Sequence, residues 1–206
     1  ARVGRERLQI PGVHVTFLRQ TEMKGTGHAL LLAREFAGSD PVIVAFPDDL
    51  FGSPNCSARL VAAWEQTGAS VLACGDLSGA DVSRYGVVDA EAEPGGVLRV
   101  RGIVEKPAPG TEPSHLVSWG RYLYTPELFE ALELGLAAHQ GSGEFYATDA
   151  INDLAQRGGV VAKIIEAPRY DTGQPLGYLT TVVELGLQHP EIGAELARWL
   201  AQRVQS

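Results

Sequence analysis

The alternation of apolar and polar residues along the chain predicts short strands separated by helices. Runs rich in β-branched residues are typical of strands, and six occur, at residues 13–17, 42–46, 70–74, 86–88, 97–104 and 160–165. Helical patterns lie between several of them, at residues 28–36, 57–67, 127–138 and 147–156. Strands that alternate with helices of this length favour an α/β sheet with parallel strands at its centre.

Two segments depart from this alternation. Residues 85–122 combine close-spaced strand patterns with Gly-Gly and Pro-rich turns and no helical pattern, which predicts an antiparallel excursion. Residues 176–206 are mostly helical in pattern, are interrupted at Pro190, and carry leucines at mostly helical spacing, which predicts a packing face or a subunit contact. We therefore predict one domain over residues 1–206 that contains both segments.

Composition narrows the class of protein. The 206 residues, 45% of them hydrophobic, suffice for one sizeable core. A formal net charge of -8 argues against nucleic acid as a partner, because binding to a phosphate backbone needs a basic surface. Cys56 and Cys74 lie outside any CxxC or Cys/His cluster, so we expect neither a disulfide framework nor a zinc site, and a cytoplasmic location. No apolar run reaches the ~18 residues that span a bilayer, and no signal peptide is evident, so we expect no membrane partner.

Carboxylates stand at the ends of strand patterns that lie far apart in the sequence. Asp48 and Asp49 follow the apolar residues 41–45, and Asp171 belongs to the segment Tyr170-Asp-Thr-Gly173. An aspartate at a strand end can simply start a turn. A hard cation such as Mg²⁺, however, is bound by one or two carboxylates together with substrate phosphates, so two such aspartates can share one metal.

Other candidate residues each have a purely structural alternative. Gly25 lies in a Gly-x-Gly turn before a helix, where it permits close backbone approach or merely shapes the turn. Gly86, inside a strand pattern, marks the approach of a ligand or a bulge. Glu105 and Lys106 are adjacent at a strand end, where they form a solvated charge pair or serve one site. The second option requires the strand to end or twist there, because neighbouring strand residues point to opposite faces.

Six motifs run in order from Arg19 to Gln188: RQTEMKGTGHAL, FPDDLF, RYGVVD, GIVEKPAPGTEPSHLVSWGRYLY, GEFYATDAINDL and YDTGQPLGYLTTVVELGL. Their order and spacing resemble the sugar-nucleotide pyrophosphorylases, and most closely the bacterial UTP-glucose-1-phosphate uridylyltransferases. The resemblance implies a Rossmann-like nucleotidyltransferase sheet, mixed and mainly parallel, with a sugar-binding excursion at 85–122. It also implies Mg²⁺-dependent transfer from UTP to glucose 1-phosphate, which gives UDP-glucose and pyrophosphate.

The resemblance also implies a role for individual residues. Gln20 and Gly25 would contact the uracil edge, and Asp48 and Asp171 would be the two Mg²⁺ ligands, while Asp49 is predicted to start the turn. The remaining residues would bind the sugar phosphate: Gly86 approaches the sugar ring, Glu105 accepts hydrogen bonds from its hydroxyls, Lys106 neutralises the phosphate, and Gly120 belongs to the same pocket. The reaction needs no protein nucleophile, because the enzyme mostly positions anions and screens their charge.

One departure from the family pattern is large. The family opens with a strand and a GxGTR-type signature that cradles the triphosphate, and nothing of that kind precedes Gln20. We therefore expect a sheet without its first strands, and weak or no activity from these 206 residues alone. Two hypotheses remain: an enzyme whose triphosphate loop is supplied elsewhere, or a non-catalytic module that binds nucleotide sugars. Another NTP such as dTTP, or another sugar 1-phosphate, is the alternative substrate, and we expect a homo-oligomer.

Overall fold

The computed structural model describes residues 11–139 and 143–204. Two parts of the predictions lie outside the described residues: residues 1–10 of the predicted domain, and residues 205–206 of the predicted C-terminal helical region. Eight strands are described: β1 Val42–Ala45, β2 Asp49–Phe51, β3 Ser70–Asp76, β4 Gly86–Glu93, β5 Val97–Glu105, β6 Leu116–Tyr124, β7 Val160–Ile164 and β8 Arg169–Asp171. Seven helices accompany them: α1 Thr26–Leu31, α2 Arg34–Ala37, α3 Cys56–Thr67, α4 Pro126–Ala138, α5 Ala147–Gln156, α6 Pro175–Gln188 and α7 Gly193–Val204.

Six strands form one mixed sheet in the order β1-β6-β3-β7-β5-β4. The sheet is mixed, as predicted, but its pairings are mostly antiparallel rather than mainly parallel, since β3–β7 is the one parallel pair among the described strands. The reason is the excursion: β6 returns from it and inserts between β1 and β3, which run in the same direction. The predicted antiparallel region at 85–122 is confirmed in the ladder of β4 with β5.

The sheet is covered on both faces, which explains the nearly continuous apolar sequence of its central strand. Along β3, Leu72 and Cys74 pack into the core that contains α4 and α5. The alternate residues Val71 and Ala73 pack into the core that contains α3. Helix α3 begins after Asn55, whose side chain accepts a hydrogen bond from the backbone N–H of Ala58, a cap that the sequence favours at this position.

One predicted strand is wrong. Residues 13–17 form no strand, and Val13, Val15 and Phe17 are all more than half exposed. A strand is stabilised by backbone hydrogen bonds to a neighbour, and among the described residues no strand pairs with this segment. The other predicted strands are confirmed, as is the break of the C-terminal helices at Pro190. Cys56 and Cys74 are free and buried.

A separate two-stranded ribbon positions the candidate metal site. Strands β2 and β8 pair antiparallel, with Asp49 opposite Asp171 and Phe51 opposite Arg169. Neither strand follows from an apolar run, because each is three residues long and carries charged residues. No helix within residues 11–139 and 143–204 is long and apolar enough to cross a membrane.

Candidate active site

A cavity of about 480 Å³ lies where the β1–β2 turn, the β4–β5 hairpin, β6, the start of α5 and β8 meet. Six of the residues predicted from the sequence line it: Asp48, Gly86, Glu105, Lys106, Gly120 and Asp171. The fold thus brings together side chains that are as much as 123 positions apart in the chain. The two predicted nucleotide-binding residues, Gln20 and Gly25, lie outside the lining of this cavity.

Asp48 and Asp171 converge on the backbone of Gly173. A Cβ atom placed on Gly173 would lie 2.7 Å from Oδ2 of Asp48 and 3.2 Å from Oδ1 of Asp171. The loop is held by backbone contacts, since the N–H of Thr172 donates to the carbonyl of Asp48 at 2.8 Å and the N–H of Gly173 donates to Oδ1 of Asp171 at 3.0 Å. Glycine therefore leaves open the point that both carboxylates face.

This open point fits a small divalent cation. Carboxylate oxygens are preferred ligands of Mg²⁺, which commonly takes one or two of them and completes its shell with water and phosphate oxygens. The described residues contain no group of three or more His, Cys, Asp or Glu side chains that could hold a metal alone. A cation held by Asp48 and Asp171 would therefore take its remaining ligands from water or from a substrate.

Asp49 does not start the turn, contrary to the prediction. Pro47 and Asp48 form the turn, and Asp49 is the first residue of β2. Its side chain is buried: Oδ1 accepts a hydrogen bond from Nε of Arg169 at 2.7 Å, and Oδ2 accepts one from the N–H of Gly120 at 2.6 Å. Nη2 of Arg169 also lies 2.7 Å from Oδ1 in an ion pair. The physical reason is the pleat of the ribbon, which turns this carboxylate towards an arginine that the local sequence does not reveal.

Arg169 is the principal cation that the sequence analysis missed. Its guanidinium lies 5.5 Å from the ring centres of both Tyr85 and Trp119. Burial opposes its charge, but the hydrogen bonds and charges of Asp49 and Tyr85 together outweigh burial, so the pKa of Arg169 is raised and it stays protonated. A signal for it exists in the sequence: Arg169 and Asp171 are two residues apart, a spacing that places both on one face of a strand.

Glu105 and Lys106 both line the cavity, and the backbone shows how adjacent residues achieve this. Strand β5 ends at Glu105, and Lys106 has a φ of 46°, a left-handed conformation that is uncommon for residues other than glycine. The N–H of Lys106 donates to the carbonyl of Tyr85 at 3.0 Å, which fixes this geometry. The sequence analysis required the strand to end at this point if Glu105 and Lys106 were to serve one site. The strand does end there.

The two glycines that were predicted to bind the sugar, Gly86 and Gly120, make room for different groups. A Cβ on Gly86 would lie 3.2 Å from Oε2 of Glu105, so glycine leaves space for that carboxylate. At Gly120 a Cβ would lie 2.8 Å from Cβ of Phe46 and 2.9 Å from Oδ2 of Asp49. Gly120 therefore lets β6 pack against the Asp49 segment, in addition to lining the cavity.

Gln20 and Gly25 lie next to each other near the start of α1. Nε2 of Gln20 is 3.1 Å from the carbonyl of Gly25 and 3.0 Å from Nδ1 of His28. Gly25 has a φ of 89°, and a Cβ there would lie 2.5 Å from the carbonyl oxygen of Phe145. The close approach that this glycine permits is thus made by the chain itself, through the segment that precedes α5.

The cavity lining carries an excess of negative charge, so an anionic substrate would need a bound cation there. Five carboxylates line it, those of Asp48, Asp49, Glu105, Glu144 and Asp171, against three cations, those of Arg84, Lys106 and Arg169. The bond between Asp49 and Arg169 neutralises one of each, which leaves an excess of negative charge. A polyphosphate would be repelled by this lining unless a bound cation screened it.

The chain is similar in sequence and in fold to known proteins. The family model described as Nucleotidyl transferase matches residues 3–186. The UTP–glucose-1-phosphate uridylyltransferase of Staphylococcus epidermidis is 38% identical over 191 residues, which are 92% of this chain and 65% of the relative. A UDP-glucose pyrophosphorylase structure from Acinetobacter baumannii superposes with a TM-score of 0.84 at 30% identity, covering 96% of this chain and 68% of that one. A UDP-glucose pyrophosphorylase complexed with UDP-glucose gives a TM-score of 0.77 at 31% identity, covering 84% and 66%.

These matches define the class of protein by its family and its fold. The chain belongs to the nucleotidyl transferase family, which confirms the resemblance stated from its motifs. Its mixed α/β fold is that of the UDP-glucose pyrophosphorylase structures. The chain spans 65% of the length of the staphylococcal relative.

Proposed function

We propose that the protein transfers a uridylyl group from UTP to glucose 1-phosphate with Mg²⁺, giving UDP-glucose and pyrophosphate. The single observation that carries the proposal is the convergence of Asp48 and Asp171 on Gly173, in the same cavity as Glu105 and Lys106. The relatives support it, since they are named UTP–glucose-1-phosphate uridylyltransferases and include structures with UTP and with UDP-glucose.

The reaction is a substitution at phosphorus. An oxygen of the sugar phosphate attacks the α-phosphorus of UTP, a new P–O bond forms, and the bond from that phosphorus to the β-phosphate breaks, so that pyrophosphate leaves. No atom of the protein forms a covalent bond. When bound, Mg²⁺ supplies positive charge that screens the reacting phosphates from one another and from the acidic lining of the cavity.

Each side chain has a binding role in this scheme. Lys106 neutralises the sugar phosphate, and Glu105 accepts hydrogen bonds from sugar hydroxyls beside Gly86 and Gly120. Gln20 offers a side-chain amide to the uracil edge, next to the turn at Gly25. Asp48 and Asp171 hold the cation, with the remaining ligands coming from phosphate and water. We also propose that residues 85–122 form the sugar-binding portion, and that the protein is cytoplasmic and homo-oligomeric.

The test is pyrophosphate release from UTP and glucose 1-phosphate, measured on the protein at its natural length with and without Mg²⁺. Turnover should require Mg²⁺ and should be lost in the variants Asp48→Asn and Asp171→Asn. Asp153→Asn is the matched control, because Asp153 is an exposed aspartate on α5 outside the cavity. Turnover with dTTP in place of UTP tests the choice of base. A protein that stays inert with every NTP and sugar phosphate, while still binding UDP-glucose in calorimetry, would instead be a binding module.

A further inference from the structure

A buried ion pair between Asp49 and Arg169 lies next to the candidate cation site. Asp49 is 6% exposed, and both of its oxygens are engaged, Oδ1 by Arg169 and Oδ2 by the N–H of Gly120. A carboxylate that accepts a hydrogen bond on each oxygen and is paired with a guanidinium is poorly suited to bind a metal as well. Asp49 is therefore a weaker candidate ligand than Asp48, although both line the same cavity.

The pair ties together the segments that carry the two proposed ligands. Asp49 follows Asp48 directly in the chain, and Arg169 precedes Asp171 by two residues on the same face of β8. Nη2 of Arg169 also lies 3.7 Å from Oδ2 of Asp171. A single arginine thus contacts one proposed ligand and fixes the neighbour of the other.

The surroundings of the pair favour one rigid geometry. The guanidinium lies 5.5 Å from the ring centres of Tyr85 and Trp119, and its side chain is 16% exposed. Nε and Nη2 of Arg169 both approach Oδ1 of Asp49, a planar contact that lysine cannot reproduce, since its ammonium is a point charge. The N–H of Gly120 links the pair to β6, so three separate elements are held at one point.

We propose that Asp49 and Arg169 are positioning residues, whose ion pair holds the β2–β8 ribbon so that Asp48 and Asp171 converge on one divalent cation. The proposal rests on the proposed function for the identity of the cation site. It assigns Arg169 no contact with substrate. The competing role, a direct contact between Arg169 and a substrate phosphate, predicts a different kinetic outcome.

The test combines direct metal binding with kinetics on Arg169→Lys and Asp49→Asn. Mn²⁺ is the probe, and its binding to the natural-length protein is followed by electron paramagnetic resonance without substrates. Because the groups that orient metal ligands typically contribute a factor of ten to a hundred, Mn²⁺ affinity should fall by roughly 10- to 100-fold in both variants. The Mg²⁺ concentration for half-maximal turnover should rise in parallel, while KM for UTP at saturating Mg²⁺ should not change.

The controls separate positioning from folding and from ligation. Arg101→Lys makes the same substitution in an exposed ion pair, that of Arg101 with Asp89 on the β4–β5 hairpin, and should leave both readouts unchanged. Asp171→Asn should abolish Mn²⁺ binding, since it removes a proposed ligand. Far-UV circular dichroism and urea unfolding report the fold of each variant. Asp49→Asn keeps an acceptor for the N–H of Gly120, so it remains informative if Arg169→Lys is unfolded.

The outcomes are distinct. Unchanged Mn²⁺ affinity in folded variants overturns the proposal, as does a raised KM for UTP with normal Mn²⁺ binding, which would indicate a phosphate contact. Loss of folding in both variants gives the pair a structural role alone and also overturns it. If the wild-type protein binds Mn²⁺ through Asp171 but never turns over UTP, the proposed function fails while the positioning role is still tested by Mn²⁺ binding. Absence of Mn²⁺ binding in the wild-type protein overturns both.

Discussion

Asp49 and Asp171 lie directly opposite each other across the β2–β8 ladder, yet their carboxylates make different contacts with Arg169. Opposed residues in an antiparallel pair point to the same face, so both side chains reach the same cavity. Arg169 engages Asp49 at 2.7 Å and approaches Asp171 only to 3.7 Å. The proposed function therefore pairs Asp171 with Asp48, and it gives the adjacent carboxylates of Asp48 and Asp49 different roles.

Substitution of Gly173 by alanine should block the cation site while leaving the fold intact. The new Cβ would lie 2.7 Å from Oδ2 of Asp48, at the point that both carboxylates face. Gly173 is exposed and its φ is not in the left-handed region, so alanine strains no backbone. Because a displacement of about 1 Å at a reacting centre can cost two orders of magnitude, Mg²⁺-dependent turnover should fall about 100-fold.

Turnover of Gly173→Ala is measured by pyrophosphate release and its stability by urea unfolding. Gly143→Ala is the matched control, because no atom lies within 4 Å of the corresponding Cβ position. That control should retain turnover and stability. Normal Mg²⁺ activation in Gly173→Ala would mean that the cation binds elsewhere.

Replacement of Lys106 separates its charge from its backbone conformation. Both Lys106→Ala and Lys106→Gly remove the ammonium, and both should raise KM for glucose 1-phosphate by roughly 10- to 100-fold, since a hydrogen bond to a charged group is worth about 1.5–3 kcal/mol. Lys106→Gly alone relieves the left-handed φ of 46°. Its free energy of unfolding should exceed that of Lys106→Ala by about 1 kcal/mol.

Steady-state kinetics and urea unfolding of the two Lys106 variants provide the check. Equal stability would show that the surrounding contacts, and not the local backbone preference, set the conformation at this position. A KM for glucose 1-phosphate equal to that of the wild-type protein would remove Lys106 from the sugar-phosphate site.

The sequence predicted the main elements because their signals are local. The apolar run of β3 is buried on both faces, and the helical pattern of α5 places Ile151 and Leu154 in the core. Strand β2 escaped prediction because three residues carry no periodicity that can be recognised. The strand end that was predicted at Asp171 is confirmed, since β8 ends at this residue. The order of the sheet also escaped, since the insertion of β6 between β1 and β3 depends on the return path of the excursion.

The sequence predicted which residues line the candidate site, but not the contacts that these residues make with one another. The resemblance supplied Asp48, Asp171, Glu105 and Lys106, which the fold brings into one cavity. The partner of Asp49 could not be predicted, because Arg169 lies 120 positions away and the pairing is a tertiary contact. The assignment of Asp49 to the turn failed for the same reason.

Asn152 should contribute to stability through a contact that resembles a strand pairing. Its Oδ1 accepts from the N–H of Ile103 at 2.7 Å, and its Nδ2 donates to the carbonyl of Ile103 at 3.0 Å. Asn152→Ala leaves both backbone groups of a partly buried strand without these partners. Urea unfolding should show a loss of about 1–3 kcal/mol, the usual cost of unsatisfied polar groups in such positions.

Asp153→Ala is the control for Asn152, because it changes the exposed neighbour on the same helix. Its free energy of unfolding should remain close to that of the wild-type protein. Similar losses in both variants would point to a general effect on α5 and not to the contact with Ile103.

Stability should decline at alkaline pH because several buried acids resist ionisation in the folded state. Burial raises the pKa of Cys56 from 9.0 to about 11, where Arg121 opposes and Asp49 adds to the effect. Burial also raises the pKa of Cys74, Tyr122 and Tyr124. An acid with a raised folded-state pKa stabilises the fold fully below its unfolded pKa, and that stability is lost as pH rises towards the folded value.

The loss should therefore begin near pH 9, where the thiols of the unfolded chain ionise first, and continue towards pH 11. Urea unfolding between neutral pH and this interval measures it as a falling free energy of unfolding. Cys56→Ala carries no ionisable side chain at this position, so its stability should fall less steeply over the same interval. Equal slopes for the variant and the wild-type protein would show that the Cys56 thiol ionises as readily in the folded chain as in the unfolded one.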